Sequence, residues 1–161
     1  FGDGAPGRVA AVRAVLADGL PRFAPVPAIA SVEPAGTVCG TVIRLDANVM
    51  FDLASADVRP EGQAELARVA ALLAALGSPD AQVDGHTDHL GDEASNVDLS
   101  ERRAGAVRDL LVAAGVEPGS LATRGLGEAE PLRAETLADG RDDPAARQLN
   151  RRVEIVLLDQ P

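Results

Sequence analysis

The chain has no Trp, no Tyr and only three Phe among its 161 residues, so its core has to be built from Ala, Val and Leu. A single cysteine, Cys39, excludes an intrachain disulfide and a thiolate cage around a metal. Gly36-Thr37-Val38 before it lacks both the apolar run and the small last residue of a lipid-attachment site, so Cys39 reads as a semi-buried structural thiol. Lysine is absent: all 15 basic residues are Arg, and 25 acidic residues bring the net charge to −10. Such a balance excludes a general nucleic-acid binder, which needs a basic face, and electrostatic adhesion to anionic lipid. No apolar run approaches a membrane span, so this stretch does not itself insert into a bilayer. Residue 1 is Phe rather than Met, so the chain reads as trimmed, and any targeting segment or membrane or lipid anchor belongs to the part before it.

What is present is globular: 46% hydrophobic and 25% charged residues, in a chain long enough for one domain with an appendage. Residues 1–40 read as an N-terminal extension. Val9, Val12, Val15 and Leu16 fall at helical spacing over Arg8–Asp18, closed by Gly19 and Pro21. Pro21, Pro25, Pro27 and Pro34 then impose extended chain, with Ile29-Ala30-Ser31-Val32 a candidate edge strand.

The main domain is expected over 41–161. Ile43, Leu45, Ala47, Val49, Phe51 and Leu53 alternate with polar neighbours, which predicts a half-buried strand or strand pair. Pro60 suits a first helical position, and Leu66, Val69, Leu72 or Leu73 and Leu76 give a helical stripe stopped by Gly77. Ala81–His86 reads as the next strand and Ser95–Ala114 as a second long helix, with Ser95 as its N-cap and Gly115 at its end. Leu121–Thr123 reads as a short strand entering a glycine turn at Arg124–Glu128, residues 136–147 as a polar loop or short helix, and Val153–Leu157 as a final strand. This order predicts an α+β two-layer sandwich: a mixed four-stranded sheet with two long helices on one face.

Asp84-Gly85-His86-Thr87-Asp88, a strand end turning toward a helix, is answered by Arg103 on that helix. Leu99, Arg103, Val107 and Leu110 or Leu111 share a face, so Arg103 interrupts an apolar stripe, whereas Arg102 has Asp98 one turn back as a solvated partner. Two readings of Arg103 stand open: an internal salt bridge to Asp88, or a charge pair that receives a zwitterionic ligand. Enzyme chemistry is disfavoured. His86 and His89 flank Asp88 without a third metal ligand at a telling spacing, neither Ser95 nor Ser100 lies in a nucleophile elbow, Cys39 has no activating context, and no carboxylate pair stands out.

His86-Thr87-Asp88, Gly91, Asn96, Leu99-Ser100, Arg103-Ala104, Gly115-Val116, Leu121, Gly125-x-Gly127-Glu128, Pro131, Thr136 and Asn150-Arg151-Arg152-Val153-Glu154-Ile155 form an ordered series over 41–159. The series resembles the OmpA-like C-terminal domain, the family of the peptidoglycan-associated lipoproteins and of the periplasmic part of flagellar stator proteins. The resemblance implies a non-enzymatic, extracytoplasmic envelope domain without metal or cofactor, which binds cell-wall peptidoglycan through the diaminopimelate of its stem peptide. It places the ligand's ammonium on Asp88 and its carboxylate on Arg103, with hydrogen bonds from Asn96 and Thr87. Main-chain groups of Phe51-Asp52 are implied at the mouth, Leu99 as a wall, Arg151 as a further carboxylate-facing Arg, and Arg152 as structural. Two departures are present: Ala146-Arg147 stands where the family commonly has Gly-Arg, and the loop from Thr136 is longer. The alternatives are a structural or assembly domain of the same fold with an idle pocket and, more remotely, a wall-processing hydrolase.

Overall fold

The computed structural model describes residues 29–34, 40–77 and 79–158. The helix expected over Arg8–Asp18 and the thiol of Cys39 lie outside them. The elements, in chain order, are β1 (Ile29–Pro34), β2 (Gly40–Asp46), α1 (Ala47–Met50), α2 (Pro60–Ala75), β3 (Ala81–His86), α3 (Glu93–Ala113), β4 (Leu121–Gly127), α4 (Pro144–Asn150) and β5 (Arg152–Leu158). One sheet runs in the order β1-β2-β5-β3-β4, with β3 and β4 parallel and the other neighbours antiparallel. Its β2-β5-β3-β4 portion is the expected mixed four-stranded sheet; Ile29–Pro34, from the proline-rich extension, adds a fifth strand along β2.

Strand register explains the layers. Ile43, Ile155 and Val83 lie side by side on β2, β5 and β3, and their side chains meet Leu66, Val69 and Leu73 of α2 and Ala104, Val107 and Leu111 of α3 in one aliphatic core. The neighbouring outward row reads Arg44, Glu154, Asp84, Arg124. Arg44 Nε donates to Glu154 at 2.9 Å, and Arg124 makes a two-pronged contact with Asp84 at 3.0 and 2.7 Å. The two adjacent carboxylates on this face are thus flanked by guanidinium groups on both sides, which offsets their repulsion.

The contact between α3 and the sheet rests on two glycines. A Cβ at Gly85 of β3 would lie 2.1 Å from the Ser100 carbonyl oxygen, and one at Gly125 of β4 would lie 2.5 Å from the Glu101 amide nitrogen. Helix backbone therefore lies directly on strand backbone, an approach that any side chain would block. Ser100 Oγ accepts from the Gly127 amide at 2.9 Å and fixes the same junction.

Three local expectations are corrected. The alternation over Ile43–Leu53 is broken after Asp46, whose carboxylate accepts from the Asn48 amide at 2.8 Å and starts the one-turn helix α1. Met50, on the polar side of the alternation, is fully buried as a result. The second long helix begins two residues earlier than expected, with Asp92 rather than Ser95 as N-cap: its carboxylate accepts from the Ser95 amide at 2.9 Å. Arg124–Gly127 continues β4 instead of turning; its glycines serve helix approach, with only Gly127 at a positive φ of 53°.

Gly85→Ala is expected to destabilise the domain by about 3 kcal/mol, because the opposing atoms are backbone and cannot rotate away. Gly105→Ala, in α3 with nothing within 4 Å of its added Cβ, is expected to stabilise by about 0.5–1 kcal/mol. Urea unfolding of both variants checks the contrast; equal effects would contradict this packing account.

Candidate functional site

The α3–sheet junction places the end of β3 beside the Arg103 turn of α3. Thr87 donates its amide to the Gly127 carbonyl at 2.9 Å, extending the β3–β4 contact to the threshold of Asp88. The loop then turns on Asp88, one oxygen of which accepts from the Leu90 amide at 3.2 Å. Asn96, buried in the first turns of α3, donates to the Asp88 carbonyl at 3.3 Å and to Glu128 at 2.7 Å. Its amide thus ties the Asp88 loop to the chain leaving β4. The Thr87 hydroxyl is buried and has no hydrogen-bond partner among the described residues.

Arg103 is 5% exposed, yet no carboxylate among the described residues forms an ion pair with it. Its Nε donates to the Ser55 carbonyl at 2.8 Å, its Nη2 to the Asp52 carbonyl at 3.4 Å, and its guanidinium lies 5.0 Å from the centre of the buried Phe51 ring. A cation is held here by carbonyl dipoles and a π face. Burial first, then the positive charges of Arg151 and Arg102, lower its proton affinity from the usual arginine value, while Asp88 opposes the shift. The Asp52–Ser55 turn that supplies both carbonyls contains Ala54 at φ 54°, a left-handed conformation uncommon for alanine.

Asp88 and Arg103 are therefore not bridged to one another. The second Asp88 oxygen instead accepts from Arg151 Nη1 at 2.5 Å, and Arg151 Nε donates to the Asn48 side chain at 2.7 Å. Arg152, by contrast, is directed away from the site: it contacts Glu154 at 2.7 Å and the Asn150 and Glu130 carbonyls at 3.2 and 3.0 Å. Leu99 is half-buried on α3 one turn before Arg103, and Arg102 makes its expected surface pair with Asp98 at 2.8 Å.

Sequence reasoning missed three supports. Asn48 was hidden by the apparent strand alternation. Asn150 was visible in the Asn-Arg-Arg series but had no assigned task; its side chain satisfies the Leu132 and Arg133 amides, the Arg133 carbonyl and Glu135, and so fixes the chain just before Arg151. The third support is the contact of the His89 ring with Glu135, which joins the Asp88 loop to the long loop that follows β4. No signal in the sequence paired these two residues. Among the described residues, no group of three His, Cys, Asp or Glu side chains is arranged to hold a metal.

The arrangement is a carboxylate just past a strand end, paired with Arg151, and a buried helix guanidinium that feels its charge, on an α+β sandwich. The OmpA family profile matches residues 50–144, and the chain belongs to the OmpA family. It is 34% identical to outer membrane protein A of Bordetella avium over 88% of this chain and 70% of that protein. It is 36% identical to outer membrane porin F of Pseudomonas aeruginosa over 86% of this chain, and 34% identical to the photosystem I P700 chlorophyll a apoprotein A2 of Gloeobacter violaceus over 92% of it. The chain spans 39% and 18% of the lengths of those two proteins. Among solved structures, the cell wall anchor of the type VI secretion system from P. aeruginosa superposes with TM-score 0.68 at 28% identity, covering 96% of both chains. The peptidoglycan-associated lipoprotein from Burkholderia pseudomallei superposes with TM-score 0.56 at 31% identity, covering 67% of this chain and 86% of that one. These relatives include outer membrane proteins, a cell wall anchor and a peptidoglycan-associated lipoprotein. No helix among the described residues is long and apolar enough to cross a membrane.

The two histidines are expected to titrate on opposite sides of 6.5. Burial, then the nearby Arg152, pushes His86 down to about 4, so its contribution to stability is complete above 6.5 and is lost as pH falls toward 4. The hydrogen bond to Glu135 raises His89, so its contribution is complete below 6.5 and is lost as pH rises through the raised value. Burial works to raise Glu135, but hydrogen bonds from Asn150 and His89 outweigh it and lower the group, so the contact is complete from about 4.5 to 6.5. NMR titration of the ring protons checks the order, and Glu135→Gln is expected to return His89 toward 6.5; an unmoved His89 would contradict the pairing.

Proposed function

We propose that this domain binds cell-wall peptidoglycan through the diaminopimelate of the stem peptide, and so anchors a larger envelope protein to the wall. Membership of the OmpA family, together with the likeness to a cell wall anchor and to a peptidoglycan-associated lipoprotein, supports the coarser part of this reading. The finer part rests on one observation: Arg103 is buried and held by main-chain carbonyls, without a carboxylate partner among the described residues, within reach of the Asp88 charge. Diaminopimelate carries an ammonium and a carboxylate on one carbon. In this reading Asp88 takes the first and Arg103 the second, whose planar oxygens suit paired guanidinium donors.

The remaining site residues have graded roles. Asn96 and Thr87 position the Asp88 loop, and the unpartnered Thr87 hydroxyl is a donor or acceptor for the ligand. Phe51 and Asp52 act through the ring and carbonyl that seat Arg103, Leu99 supplies an apolar wall, and Arg151 faces a carboxylate. The proposed binding domain is 41–161, with 1–40 an extension to it. Both the wall polymer and a domain of net charge −10 are anionic, so local pairing rather than long-range attraction drives the encounter. Repeated epitopes along the polymer raise the modest affinity of one site.

A second reading, an assembly domain with an idle pocket, is favoured by a single observation: Asp88 already has Arg151 as a partner. Diaminopimelate titration followed by NMR separates the two. Binding is expected, with shifts at Asp88, Asn96 and Arg103, and Asp88→Ala or Arg103→Lys is expected to weaken it about tenfold or more. Sacculus pulldown should follow the same order. No shifts on titration, or variants that bind as the parent does, would leave the idle-pocket reading standing.

A further inference from the structure

We infer that Arg151 occupies the ammonium position on Asp88 and must be displaced by the ligand, which makes it the residue that selects an amino-acid end over a simple amine. The inference deepens the diaminopimelate reading and rests on it. It begins from geometry: the Asp88 oxygen that a ligand ammonium needs is already 2.5 Å from Arg151 Nη1, in an ion pair with side chains 28% and 10% exposed. The other end of the guanidinium, Nε, is held by Asn48 at 2.7 Å, and Asn48 is itself held by Asp46 at 2.6 Å. Displacement from Asp88 therefore moves the planar guanidinium as one unit, with Asn48 as a neutral acceptor beside it. Arg103 does not share this movement, because Ser55 and Asp52 hold it independently of Asp88.

Charge complementarity then separates ligands by chemical class. An ammonium arriving alone takes Asp88 and leaves Arg151 in a half-buried position without an anion, an unfavourable exchange. An ammonium that brings a carboxylate on the same carbon displaces Arg151 and at once offers it a share of the same carboxylate that Arg103 takes. Arg151 thus opposes polyamines and other simple amines while leaving amino-acid ends nearly unopposed, an element of discrimination by repulsion.

Diaminopimelate and 1,5-diaminopentane have the same diamine skeleton and differ by two carboxylates, so they are the probes. In the parent chain, NMR titration is expected to show diaminopimelate bound and diaminopentane bound far more weakly. Arg151→Met is expected to tighten diaminopentane binding by about three- to fivefold, the loss of one partly exposed ion pair, without an equal gain for diaminopimelate. Arg147→Met removes a nearby positive charge that pairs with Asp142 instead of Asp88, and so controls for general electrostatics; it is expected to give a smaller gain. A preference ratio unchanged in Arg151→Met, or equal gains in the two variants, overturns the displacement while leaving diaminopimelate binding intact. A parent chain that binds no diaminopimelate overturns the binding reading, and this inference with it. Should Arg151→Met fail to fold, the Arg151 Nε resonance of the parent decides: it is expected to move on addition of diaminopimelate, and an unmoved resonance overturns the proposal.

Discussion

Direct contact between the backbone of α3 and the backbones of β3 and β4 is the constraint on which the rest depends. Gly85 and Gly125 permit it, and the Ser100 side chain locks it to Gly127. Because helix and strands touch without intervening side chains, the segments that leave the junction have little freedom of direction. Thr87 and Asp88 emerge from one side of it, Arg103 from the next turn of the helix, and Asn96 ties the loop between them. A site built on such rigid elements holds its charges in place before any ligand arrives, which lowers the ordering cost of binding.

The electrostatic arrangement has its own logic. Asp88 and Arg103 feel each other's charge, and a carboxylate and a guanidinium attract one another. The Asp52–Ser55 turn gives Arg103 two carbonyl acceptors and places it beside the Phe51 ring. Asp88, in turn, pairs with Arg151, a partner on the more exposed side. The two charges therefore remain separately addressable. The matched stretch is a different share of each relative, 70%, 39% and 18% of three of them.

Much of this was legible in the sequence, for physical reasons that can be named. The stripe of Leu99, Val107 and Leu111 gave away Arg103 as a buried cation, since helical periodicity reports burial directly. Pro60 and Gly77 bracketed α2 through their backbone restrictions. What stayed hidden was contact between residues remote in the chain. The partner of Arg103 is main-chain carbonyl, which has no side-chain signature, and the Arg151–Asp88 pair spans 63 positions. Local competition also misled: Asp46 and Asp92 cap helices that the hydrophobic pattern placed differently, because a carboxylate on a free amide outweighs alternation over a few residues. The Gly125 and Gly127 pair suggested a turn, when a sheet-to-helix approach was the demand on Gly125.

A crystal structure of the domain soaked with diaminopimelate decides whether the two charges receive one ligand. One amino-acid end is expected in the site, with its ammonium on Asp88 and its carboxylate on Arg103. An unaltered Asp88–Arg151 pair, with the ligand absent or bound elsewhere at saturating concentration, would contradict that expectation.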